Sequence, residues 1–100
     1  MTREELITAI NEYEDAAHTL HRCSIELANA ALAAHEEVAN ATHTLHRSGK
    51  FDSSSAAVAV SRLTRAEIAK VSAESAFTVA RANMDQSMML FVSAATGPTS

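Results

Sequence analysis

The chain has 100 residues and a formal charge of −4, so it holds one domain at most and is too weakly charged to be an acidic tail or a nucleic-acid mimic. Eight Lys and Arg against twelve Asp and Glu do not make the basic stripe of a general DNA or RNA binder. The apolar fraction of 47% is rich in alanine, and Tyr13, Phe51, Phe77 and Phe91 are the only aromatics, so a two-helix monomer would have little surface to bury and self-association is expected.

Thr2 followed by Glu5 is a capping box, and Glu4 and Glu5 suit the positive end of a helix dipole. From there to Arg47 neither Pro nor Gly interrupts the chain. Leu6, Ile10, Tyr13, Ala17, Leu20, Ser24, Leu27, Ala31, Ala34, Val38, Ala41 and Leu45 keep a strict four-three spacing, with Ser24 as the one plainly polar member. Such a seam predicts a helix over about residues 3–47 with another helix facing it. With Ile10 at heptad position a, the g flank is Ala9, Ala16, Cys23, Ala30, Glu37 and Thr44, mostly small enough for close approach. Position b turns apolar at Ile25, Leu32 and Ala39, which widens the face and points to more than one partner. His46, Arg47 and Gly49 suit the helix C-terminus.

Residues 48–54 form the one convincing break, with Asp52, Ser53 or Ser54 as the next cap and Phe51 as a staple. The second helix is predicted over about 54–95, running back antiparallel, with Gly97 and Pro98 as its stop. Its seam is Ala59, Leu63, Ala66, Lys70, Ala73, Phe77, Ala80, Met84, Ser87, Phe91 and Ala94. The expected fold is therefore all-α: a single helical-hairpin domain over residues 1–100. A second stripe through Val60, Ile68, Val71, Val79, Ala82 and Met89 cannot be covered by the same neighbour. It predicts pairing of hairpins into a four-helix bundle, most simply a homodimer, with Val60, Ile68, Val71, Val79 and Met89 in the contact.

No catalytic constellation emerges. Five histidines all fall on the first helix, and His-Thr-Leu-His-Arg occurs twice, at 18–22 and 43–47. The pairs His18/His21 and His43/His46 have the i, i+3 spacing that lets two imidazoles share a metal, with Glu14 one turn before His18. They sit at flank and surface positions, so exposed helix residues are the expected reading and no metal or other cofactor is assigned. The two copies are symmetric about residue 32, so an antiparallel crossing of two first helices there would bring the pairs together. Cys23 is a lone cysteine on the packed g flank, expected to be a small buried residue rather than a reactive thiolate. The methionines Met84, Met88 and Met89 read as ordinary core at the end of a bundle, with Met84, Met88 and Phe91 facing one way.

Charge divides unevenly. Residues 1–40 carry two bases against eight acids, and residues 41–100 carry six bases against four acids. Glu12, Asp15, Arg22, Glu26 and Glu36 occupy c and f, the positions farthest from the seam, and are the candidate surface for a larger protein partner. A lone cysteine suits a reducing compartment, no basic segment precedes an apolar run at the N-terminus, and no apolar stretch is long enough to span a bilayer. The expectation is a cytoplasmic, non-enzymatic adaptor or occluding inhibitor with no nucleic-acid or membrane partner, of the kind that includes phage-type antagonists of host systems.

The architecture also resembles the secreted helical hairpins of the WXG100 class over the whole chain. The turn here reads Ser48-Gly49-Lys50-Phe51 in place of their Trp-x-Gly, and their C-terminal Tyr-x-x-x-Asp/Glu signal is missing. What the resemblance implies is a secreted hairpin. A third expectation is an oligomer that holds a metal or small ligand between protomers.

Overall fold

The computed structural model describes residues 2–96. The chain is all helical: α1 (Arg3–Ser48) and α2 (Ser54–Thr96), of 46 and 43 residues, pack as a hairpin. The expected stop at Gly97 and Pro98 lies outside the described residues.

Both helix starts and the intervening stop follow from local chemistry. The Glu5 N–H donates to the Thr2 hydroxyl at 3.1 Å, which satisfies one of the orphan donors of the first turn. At the other end of α1 the Gly49 N–H donates to the Leu45 carbonyl at 2.8 Å, with Gly49 at φ 72°. That is the left-handed C′ position that glycine occupies without a Cβ penalty. α2 opens on Asp52, whose Oδ1 accepts from the Ser54 N–H at 3.0 Å and from the Ser54 hydroxyl at 2.7 Å. These two bonds, the backbone one first, hold the exposed Asp52 carboxyl below its ordinary pKa. Phe51, expected to staple the turn, is instead exposed.

The packing falls into two units. In the first, residues 2–21 of α1 join residues 72–96 of α2. Here Leu6, Ile10, Tyr13, Ala17 and Leu20 are half-buried as their spacing predicts, and Ala9 is buried beside them. The Tyr13 and Phe77 rings meet at 5.4 Å in a tilted pair, the kind of offset that the ring quadrupoles favour. Ala73 is buried, and Phe77, Ala80, Met84, Ser87 and Phe91 are half-buried, while Ala94 is exposed. The methionine expectation fails in part: Met84 and Phe91 lie in the seam, but Met88, Met89 and Leu90 are exposed. Met88 stands four residues after Met84 and three before Phe91, and the seam passes through Ser87 instead.

The second unit comprises Arg22–Val71 and contains the turn. On α2 the seam continues with Ala56 and Ala59 buried and Leu63, Ala66 and Lys70 half-buried. On α1 the contact departs from the expected series. Ala30, Ala34 and Ala41 are buried and Leu27, Ala33 and Glu37 half-buried, whereas Ala31, Val38 and Leu45 are exposed. The contact has rolled from positions a and d onto d and g. An α-helix drifts by about 20° per heptad against a 3.5-residue seam, so the buried positions slide unless the pair supercoils to match. Small residues decide where they slide. With Ala56 and Ala59 buried on α2, the residues buried on this part of α1 are Ala30, Ala34 and Ala41 rather than Val38 and Leu45.

All the residues buried among those described are alanines, namely Ala9, Ala30, Ala34, Ala41, Ala56, Ala59 and Ala73, and no side chain is fully enclosed.

Candidate interaction surface

With only methyl groups buried among the described residues, the larger apolar side chains must go elsewhere, and fifteen of those described are exposed. On α2, Ile68, Val71, Met89 and Val92 lie opposite the seam. Counting Leu63 as a, positions b and f from 57 to 92 are Ala57, Ser61, Thr64, Ile68, Val71, Ser75, Thr78, Ala82, Asp85, Met89 and Val92, all exposed and carrying a single charge, Asp85. The outermost strip of a solvated helix normally carries its charges. Here Arg62, Glu67, Glu74 and Arg81 flank the seam instead. Two polar members of the strip are muted as well: Thr64 donates to the Val60 carbonyl at 3.1 Å and Thr78 to the Glu74 carbonyl at 2.9 Å, so each hydroxyl proton is satisfied within α2.

Within the turn-containing unit this strip presents Ile68 and Val71, both 64% exposed, and Val60 lies at its edge. In the other unit it presents Met89 and Val92, with Val79 at its edge, and Met88, Met89, Val92 and Ser93 line a shallow hollow of about 400 Å³. The five residues expected in an oligomer contact are thus all exposed on a single chain.

The turn-containing unit has two unlike sides. Along one side run polar grooves, the larger of about 590 Å³ lined by Glu26, Ala30, Arg62, Arg65, Ala66 and Ala69. Its neighbour, about 400 Å³, brings Glu37 to Ser54, Ser55 and Arg62. The grooves therefore seat acids of α1 against bases of α2. Arg62 and Arg65 were not singled out by sequence; their g and c positions on α2 were the available signal, but it needed the register of α1 to have meaning. Glu26 is accordingly misplaced in the sequence reading. It is exposed, but it borders this groove rather than standing farthest from α2, because the roll of the contact toward g brings position c nearer the partner helix. Glu12, Asp15, Arg22 and Glu36 are exposed.

His18, His21, His35, His43 and His46 are all exposed, and among the described residues no three His, Cys, Asp or Glu side chains come together as a metal site. Glu14, His18 and His21 therefore do not form a set within one chain. Cys23 is a free, half-buried thiol on the g flank.

No family model, curated protein or solved structure matches this chain. Among the described residues, no helix is long and apolar enough to cross a membrane.

Proposed function

We propose that this chain is a non-enzymatic helical interaction protein, completed by a second copy of itself into a four-helix bundle, that binds and occludes a larger protein as an adaptor or inhibitor. One observation carries the reading: among the described residues what is buried is alanine alone, while fifteen larger apolar side chains are exposed. Exposed apolar strips on α1 and on α2 mark contact surfaces in a soluble protein. Val60, Ile68, Val71, Val79 and Met89 are assigned to contacts between helices of different copies. The exposed charges Glu12, Asp15, Arg22 and Glu36, with Glu26 at the groove, are assigned to the larger partner, where they would steer association. The unpaired Cys23 supports a reducing, cytoplasmic setting. An antagonist of a host system, as phages encode, is one form that such a protein takes.

The test is affinity capture from the native host with the tagged full chain, followed by the same capture with Glu12, Glu26 and Glu36 changed together to Lys. A stoichiometric protein that is retained by the parent and lost by the helical triple variant supports the reading. Equal retention by both moves the partner surface to the turn or to the methionine end, and recovery of no stoichiometric protein removes the occluding role.

A second reading rests on the hairpin itself, since two long helices joined by residues 49–53 share the architecture of secreted WXG100-class hairpins. Appearance of the tagged chain in the culture medium without cell lysis would favour it.

A further inference from the structure

The polar grooves lie where position g of α1 faces position g of α2, so the opposite side of the turn-containing unit carries α1's positions e, a and b. That side of α1 is a second apolar face: Ile25, Ala28, Ala31, Leu32, His35, Val38, Ala39, Thr42 and Leu45, every one exposed and none an acid, Lys or Arg. Thr42 donates its hydroxyl to the Val38 carbonyl at 2.9 Å, so its methyl too belongs to the face. The roll of the α1 contact toward g is what frees Val38 and Leu45 to join it.

This face reads nearly the same from both ends. Counting outward from His35, the residues at three positions are Leu32 and Val38, at four Ala31 and Ala39, at seven Ala28 and Thr42, and at ten Ile25 and Leu45. Large therefore answers large, and small answers small, along the whole strip. An isologous two-fold contact requires a patch complementary to itself, and an antiparallel helix pair sets each residue level with the one equally far on the other side of the axis. A different protein as occupant would leave that symmetry without a cause.

Resting on the oligomer reading above, we infer that the turn-containing units of two copies dock through this face, with their first helices antiparallel and His35 meeting His35 of the second copy on the two-fold axis. Leu32 of each copy then packs beside Val38 of the other, and Ala28 lies level with Thr42. The alanines allow the close approach that Ala-lined helix pairs adopt.

Disulfide trapping in the full chain tests the geometry, with Cys23→Ala as the background. Light scattering of the parent comes first: a single-chain mass at all concentrations would remove both the oligomer and this contact. In a dimer, Cys introduced by His35→Cys should cross-link in a glutathione buffer roughly a hundredfold faster than Cys introduced by Glu36→Cys, since a held pair has a millimolar effective concentration against micromolar chains. Mixing the Ala28→Cys and Thr42→Cys variants should give the mixed cross-link, and Ala28→Cys alone should not link to itself. Equal rates at 35 and 36, or self-linking at 28, in a protein that is still dimeric overturns the antiparallel contact and leaves the oligomer standing.

Discussion

Dilution is the perturbation that bears most directly on the exposed apolar faces. Each buried alanine side chain contributes one methyl, worth about 0.8 kcal/mol, and among the described residues nothing larger is buried on the single chain. If the missing burial comes from a second copy, folding and association are one equilibrium, and a hundredfold dilution costs about 2.7 kcal/mol per pair of chains. Unfolding entropy near 60 °C is about 2.1 cal/mol/K per residue, which for two 100-residue chains makes that cost a fall in Tm of about 6 °C. The assay is thermal circular dichroism at 222 nm from micromolar to hundred-micromolar chain, with light scattering at the same concentrations. A 10.6 kDa species whose Tm ignores dilution would refute the reasoning, because the exposed strips would then have no partner among copies of this chain.

Three further outcomes are expected. Phe77→Ala should destabilise by about 2 kcal/mol, less than a fully enclosed ring because Phe77 is half-buried, and a urea double-mutant cycle with Tyr13→Ala should return a coupling of about 1 kcal/mol. Gly49→Ala should cost roughly 1 kcal/mol in urea unfolding, since the added methyl meets nothing within 4 Å and only the left-handed backbone is penalised. Asp52, with its folded pKa lowered, stabilises the start of α2 at neutral pH; that contribution is complete above the ordinary carboxylate range and is lost as pH falls through the folded value. Asp52→Ala should therefore lower Tm at pH 7 and narrow its gap from the parent toward pH 2, and a gap that stays constant with pH would contradict the assignment.

The helices and their ends were legible in sequence because their causes are local. Thr2 and Glu5, Gly49, and Asp52 with Ser54 act within a few residues of themselves, and the expected spans of 3–47 and 54–95 differ from Arg3–Ser48 and Ser54–Thr96 by one residue at each C-terminus. The seam of α2 was equally plain, since from Ala59 to Phe91 the buried and half-buried residues keep the predicted spacing. What the sequence reading misplaced was the stripe of α1 that faces α2 after Leu27, which it kept on a and d through Ala31, Val38 and Leu45. Position a offers Val38 and Leu45, while position g offers Ala30, and periodicity alone ranks the larger side chains first. The tertiary structure decides for d and g, where alanine meets alanine and the backbones can approach. That choice depends on the side chains across the contact, Ala56 and Ala59, which no reading of α1 by itself contains. From it follow the groove position of Glu26, the exposure of Val38 and Leu45, and the second face centred on His35.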